Sequence, residues 1–309
     1  RLSLVGSEMC IRDSLSIFNK LMKSKNNNLL GISFMLLSMF CLSINDITYK
    51  YLSFHFPVWE SIFFRALSGS IIATFLAMYF GFDKLKTKKP VGHAIRALSA
   101  SACVVFYIYG INHLMLSENI AIAHSAPIIA AFLAVPILGE RIGIFRTTAI
   151  LIGFIGVLII VKPGTDLFKL ETLYPLISAA FMASVYLSTR SVMSTDSSVA
   201  IVFYYSFALL ITSIIFFPDN FIMPNGIQLI FAMSLGVMGS LGHLFMSQAA
   251  KYADVAITSP FEYSSFIFVG IMGYLIYSEV PTLSIYLGGI IIISTGTVSY
   301  THLTLPTTL

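Results

Sequence analysis

Ten apolar blocks constrain this chain more than any other feature, because each is about as long as a helix that crosses a lipid bilayer. A hydrocarbon core of ~30 Å needs about 20 mostly apolar residues in an α-helix. The blocks run over 29–52, 57–80, 95–116, 119–138, 144–162, 172–193, 197–217, 226–250, 255–278 and 281–298. Turn or charge clusters part them: His55 to Pro57, Asp83 to Pro90, Gly139 to Gly143, Lys162 to Asp166, Pro218 to Gly226 and Val280-Pro281. Membrane β-strands would show ~10 residues of alternating polarity, and these blocks are longer and uniformly apolar. Only 10% of residues are charged and 57% are hydrophobic, whereas a soluble domain carries about 25% charge. The expected fold class is all-α integral membrane, with ten transmembrane helices.

Eighteen Lys and Arg give a formal charge of +4. They lie between the blocks and form no basic stripe on a soluble domain, so nucleic acid is not an expected partner. With the N-terminus inside, the inner segments hold twelve cations: Lys20, Lys23, Lys25, Lys84, Lys86, Lys88, Lys89, Arg96, Arg141, Arg146, Arg190 and Lys251. The outer segments hold Lys162 and Lys169. That bias places both termini in the cytoplasm and the protein in the plasma membrane, which in a bacterium is the cytoplasmic membrane. Cys10, Cys41 and Cys103 have no paired spacing, so neither a disulfide frame nor a metal site is expected.

The two ends read as foreign. Residues 1–14 and 299–309 resemble translated sequencing-adapter read-through, with 15–28 as a cytoplasmic segment after the first. The native C-terminus is then expected to continue beyond 298 with a different sequence.

The chain also repeats itself at a shift of about 140: Lys50 falls on Arg190, Leu36 on Leu176 and Ser38 on Ser178, and at 139 Glu140 falls on Glu279. Each copy holds five blocks, an odd number, so the second copy enters the membrane from the opposite side. Inverted repeats of this kind place a transport site at the repeat interface near the midplane.

Two segments carry a family resemblance: SAPIIAAFLAVPILGERIGIFRTTAILIGFIGVLIIVKPG at 125–164 and SPFEYSSFIFVGIMGYLIYSEVPTLSIYLGGIIIISTGTV at 259–298. With Asn45 to Lys50 and Phe64-Arg65 at the start of the first half, the pattern resembles the EamA-type transporters of the drug/metabolite transporter superfamily. The resemblance implies two inverted halves, 29–164 and 165–298, and secondary transport of a small metabolite by alternating access. The metabolite classes left open are amino-acid-like, nucleoside-like and drug-like. The expected partners are that substrate, a coupling proton and the lipid bilayer. A homodimer is allowed rather than required.

Ionisable residues at membrane depth cost several kcal/mol and tend to face a cavity or a partner. Asp46 and Lys50, four apart on one helical face, form either a local ion pair or part of a substrate site. Glu60 and Arg65 point about 140° apart on a 3.6-residue helix, so they need different partners. Arg65 pairs with Asp46 or Glu60, or binds an anion. His124 and Pro127 in the fourth block stand at nearly the same place as Pro260, Glu262 and Tyr263 in the ninth. Proline frees a carbonyl and bends or interrupts a helix, and matched interruptions point to a transporter site. Glu262 is the expected ligand for a cationic group or a coupling proton. Its rival role is a neutral acid bonded to a tyrosine or histidine, as a carbonyl-bonded packing kink is the rival for His124. Tyr186, Tyr204 and Tyr205 are cavity or packing residues, and Asn112, His113 and His243 read as local caps. Glu140 and Glu279 read as structural acids that close helix ends against neighbouring amides.

No ATP-binding G-x-x-x-x-G-K-[ST] and no hydrolase or metalloprotease motif occurs. No cofactor and no enzymatic activity is expected. The alternative is a membrane-embedded enzyme acting on lipid or isoprenoid substrates, which would need a cluster of acids or metal ligands.

Overall fold

The computed structural model describes the backbone at 2–138, 144–162, 168–192, 195–217, 220–253 and 255–304. Side chains there are described except at 2–27, 131, 134–138, 144–146, 149, 190, 191, 198, 247, 250, 251, 255, 256, 259 and 296–304. The α-helices are α1 Leu2–Ser53, α2 Val58–Phe80, α3 Pro90–His113, α4 Leu116–Ala123, α5 Ala126–Leu138, α6 Ile144–Val161, α7 Leu173–Val192, α8 Ser198–Ile215, α9 Gly226–Tyr252, α10 Val255–Glu262, α11 Ser264–Tyr277 and α12 Leu283–Thr304. The apolar part of α1 is Asn28–Ser53.

These helices make ten passes, because α4 with α5 forms one interrupted pass and α10 with α11 another. Asn28–Ser53, Val58–Phe80, Pro90–His113, Leu170–Thr189 and Gly226–Met246 are each long and apolar enough to span a membrane alone. The fourth and ninth passes are not, because a break splits each into two short pieces. The described connecting residues 54–57, 114–115, 216–217, 220–225 and 278–282 lie on one face of the bundle, called here the first face. The described connecting residues 81–89 and 195–197 lie on the second face.

Packing follows a pseudo-two-fold pattern. α1 packs on α9 as α7 packs on α3, while α2 against α8 and α6 against α12 cross the axis. Small residues allow the closest approaches. A Cβ on Gly236 would stand 2.5 Å from the backbone N of Gly69 and 2.6 Å from the carbonyl oxygen of Arg65, so α9 lies directly on α2. Gly156 and Gly288 bring α6 and α12 together in the same way: a Cβ on Gly288 would stand 2.6 Å from the Gly156 carbonyl oxygen.

Local signals set the ends. Pro90 starts α3, where its missing N–H costs nothing. Asn225 and Gln228 form a reciprocal capping box at α9. Ser278 closes α11 in the left-handed region, at φ 55°, which turns Glu279 back toward α4. There Glu279 Oε2 accepts from the backbone N–H of Leu116 at 2.7 Å, and Oε1 lies 3.3 Å from Lys50 Nζ. Lys50 also donates to the carbonyls of Ile111 at 2.9 Å and Leu114 at 2.7 Å. One buried node on the first face thus joins α1, the α3–α4 connection and the end of α11. Glu279 closes a helix start against a neighbouring amide, as expected. Glu140 and the side chain of Arg190, its counterparts by repeat, lie outside the described residues.

Candidate functional site

A cavity of about 460 Å³ lies inside the bundle. It reaches from α1 and α2 to the two broken passes. The breaks fall at His124-Ser125 and at Tyr263, 139 positions apart when counted from His124. Pro127 stands two residues into α5, and Pro260 lies inside α10 two residues before its end. The prolines therefore flank equivalent breaks from opposite sides; they are not themselves equivalent positions.

Side chains bond the carbonyls beside each break. His124 Nδ1 donates to the Ile120 carbonyl at 2.8 Å. The Ser264 hydroxyl donates to the Phe261 carbonyl at 2.7 Å, and the Ser265 hydroxyl to the Glu262 carbonyl at 2.8 Å. Ser265 Oγ lies 3.2 Å from His124 Nε2, and the His124 and Tyr263 rings stand 5.3 Å apart. The two breaks thus touch. Glu262 lines the cavity beside them, and its carboxylate makes no hydrogen bond or ion pair with any described residue. The group that bridges the breaks is Ser265, not the Glu262 carboxyl.

Across the cavity, Arg65 sits in a cage of neutral groups. Its guanidinium donates to Asn45 Oδ1 at 3.1 Å, to the Tyr49 hydroxyl at 3.4 Å and to the Tyr205 hydroxyl at 3.5 Å. It also lies 5.6 Å from the centre of the Tyr49 ring. The expected ion pair with Asp46 or Glu60 is absent among the described residues. Asp46 instead accepts from the Tyr107 hydroxyl at 2.8 Å. The Asp46–Lys50 pair is absent too, because Lys50 turns to Glu279. Glu60 is fully buried in the first turn of α2, where Oε2 accepts from the Ile222 N–H at 3.2 Å. Its Oε1 has no partner. Of the sequence candidates, Asp46, Arg65, His124, Pro127, Glu262 and Tyr263 line the cavity, while Lys50, Glu60 and Pro260 do not.

The sequence reading also passed over residues that the fold brings in. Arg96 lines the cavity and donates from Nε to Thr189 at 2.7 Å. It was counted as a connecting charge because its block was started at 95. The helix starts at Pro90, which places Arg96 about 9 Å along it. Asn45, Tyr107 and His243 line the cavity as well. The signal for the first two was present: polar residues spaced on the inner faces of α1 and α3.

The charged lining is then Asp46 and Glu262 against Arg65 and Arg96, set among tyrosines. Such a cavity can hold a ligand that carries charge of both signs beside flat apolar surface. Among the described residues no cluster of His, Cys, Asp and Glu could hold a metal ion.

Comparison with known proteins agrees with this architecture. A protein of known crystal structure superposes with TM-score 0.59 at 16% identity, covering 91% of this chain and 99% of its own. An S-adenosylmethionine uptake transporter of Rickettsia felis is 30% identical over 86% of this chain and 90% of its own. The pseudopaline exporter CntI of Pseudomonas aeruginosa is 26% identical over 85% and 93%, and a riboflavin transporter of Vibrio cholerae is 26% identical over 88% and 93%. The model of the EamA-like transporter family matches residues 29–162 and 170–300. The chain belongs to the EamA-like transporter family, and it is a multi-pass membrane transporter of small metabolites.

Proposed function

We propose that this protein carries a zwitterionic metabolite by alternating access, with Arg65 receiving a carboxylate and Glu262 a cationic group. The observation that carries the reading is a Glu262 carboxylate without a partner among the described residues and a neutrally caged Arg65 guanidinium in one cavity of about 460 Å³. That volume falls within the ~300–1,000 Å³ usual for small-molecule sites. Asp46, fastened by Tyr107, adds a second negative centre. Of the cargoes named for the relatives, S-adenosylmethionine has this charge pattern, with a carboxylate, an ammonium and a sulfonium beside an aromatic base.

Several finer points belong to the same proposal. The second face is cytoplasmic, on the Lys and Arg bias of its connections. With no ATP-binding motif on the chain, the drive is a gradient, and Glu262 with His124 supplies the groups that would exchange a coupling proton. The cargo leaves chemically unchanged, so no residue is given a catalytic role. Uptake of labelled S-adenosylmethionine into vesicles from expressing cells tests the substrate class. Competition by zwitterionic analogues, and none by their carboxyl esters, is the expected result. Equal competition by esters and free acids would contradict it.

A further inference from the structure

Beside the cavity, each face carries a carboxylate that ties one half of the repeat to the other. On the second face this is Asp196, in the α7–α8 connection of the second half. Its Oδ2 accepts from the Thr87 hydroxyl and lies 2.9 Å from His93 Nε2, and its Oδ1 accepts from the Lys88 N–H at 3.3 Å. All three partners belong to the first half, in or just after the α2–α3 connection. Ser197 adds a bond to the Lys84 carbonyl at 2.7 Å, and Tyr204 one to the Leu85 carbonyl at 2.8 Å. The Asp196 side chain is 1% exposed and that of His93 4%. On the first face the acid at the matching corner is Glu60, in the first turn of α2, and it accepts from the Ile222 N–H in the α8–α9 connection of the second half, on the same face as the node in which Glu279 of the second half holds Lys50 and the Leu116 N–H of the first. Trp59 stacks on Phe216 with ring centres 4.8 Å apart, and Phe63 meets Phe217 at 5.1 Å.

The two arrangements correspond under the inverted repeat. In each, the corner between the first and second helices of one half donates a carboxylate, and the connection between the second and third helices of the other half supplies a backbone amide. The acids do not coincide in sequence: at a shift of 140, Glu60 falls on Ala200 and Asp196 on Phe56. They coincide in topology. Each also lies near a cavity-lining arginine in sequence. One turn of α3 separates His93 from Arg96, and little more than one turn of α2 separates Glu60 from Arg65, and both arginines line the cavity.

We propose that Asp196 and Glu60 are the paired latches of alternating access, Asp196 closing the second face and Glu60 the first. This rests on the alternating-access reading above. Both latches are closed here, and transport requires each to open while the other holds. They are unequal. Asp196 has a hydroxyl, an imidazole and an amide, whereas Glu60 has one amide and a buried oxygen without a partner.

Cys103 lines the cavity and is a native reporter of access. With Cys10 and Cys41 replaced by Ser, an impermeant thiol reagent is applied to right-side-out and everted vesicles, and Lys86→Cys in a parallel protein identifies the faces. Asp196→Asn is expected to raise labelling of Cys103 from the second face and lower it from the first, by about threefold to tenfold, the shift that loss of one hydrogen bond supports. Glu60→Met is expected to do the reverse. If either variant fails to reach the membrane, Thr87→Val or Glu60→Gln replaces it, with the same directions and smaller size. Variants that shift labelling in the same direction, or leave a two-sided wild-type pattern unchanged, overturn the latches while leaving alternating access intact. Labelling from one face in every protein overturns alternating access, and the latches with it.

Discussion

The imidazole Nε2 of His124 lies 3.2 Å from the hydroxyl of Ser265, so the break in the fourth pass is bonded to the break in the ninth. His124 donates from Nδ1 to the Ile120 carbonyl, and the single Ser265 hydroxyl proton is shared between His124 Nε2 and the Glu262 carbonyl. The contact thus joins the end of α4 in the first half to α10 and α11 in the second at the level of the cavity.

That chain of bonds predicts coupling between the two residues. A buried hydrogen bond contributes about 0.5–1.5 kcal/mol net, and removing one partner strands the other. His124→Ala and Ser265→Ala are each expected to cost about 1–2 kcal/mol. The double variant should cost less than the sum, by about 1 kcal/mol. Thermal unfolding in detergent measures all three, and strict additivity would show that the breaks do not depend on each other.

Arg65 gives a prediction about geometry rather than charge. Its fork reaches Asn45, Tyr49 and Tyr205 at once, which the single ammonium of Arg65→Lys cannot copy. The variant should keep its fold yet bind a carboxylate-bearing substrate about tenfold more weakly, near 1.4 kcal/mol. A substrate with its carboxyl esterified should bind both proteins alike. A similar loss for both ligands would remove the anion role of Arg65.

The α2–α9 crossing beneath Arg65 depends on Gly236. A Cβ there meets backbone of Gly69 and Arg65, whereas at Gly239 it meets only side-chain ends, the Arg65 guanidinium at 3.4 Å and Asn45 Nδ2 at 3.7 Å. Gly236→Ala must push the helices apart and should cost about 1–3 kcal/mol. Gly239→Ala should be better tolerated, because the end of a long side chain can shift. Melting temperatures in detergent would expose the reverse order.

Asp196 makes a prediction about pH. The Thr87 hydroxyl, aided by the Lys88 amide and His93, holds its carboxyl well below the usual carboxylate range. A depressed native pKa adds stability that is complete above the unfolded value, ~3.9, and is lost as pH falls below it toward the native value. Asp196 therefore stays charged from pH 5 to 8. With His93→Gln in both proteins, the stability difference between Asp196 and Asp196→Asn should be flat over that range and shrink below about pH 4. A difference that titrates between pH 5 and 8 would contradict this.

The passes were legible in the sequence because lipid demands long apolar helices with closed backbone bonding. Glu262, His124 and Arg65 were legible as costly polar residues at membrane depth. Their partners were not. A helical period shows which residues share a face of one helix, but not which helix that face meets. Lys50 was therefore read against Asp46, four residues away, while its acid is Glu279 on another helix. Arg65 was matched to a carboxylate because charge is visible in a sequence, whereas a cage of Asn45 and two tyrosine hydroxyls appears only after folding. The breaks were placed at Pro127 and Pro260 for a similar reason. Proline marks a weak stretch of helix, but the actual break lies where side chains such as His124 and Ser265 can bond the carbonyls beside it.

The most direct test of the account is uptake by Glu262→Gln. Gln keeps the shape and hydrogen-bonding capacity of the side chain but cannot carry its charge or titrate. Wild-type and variant protein, reconstituted at equal amounts into sealed vesicles, are compared for uptake of the zwitterionic substrate across pH 5 to 8. The account predicts a folded, membrane-inserted variant whose uptake falls at least tenfold or loses its dependence on pH. Normal uptake with the wild-type pH profile would contradict it, and Glu262 would then be a lining residue without a part in transport.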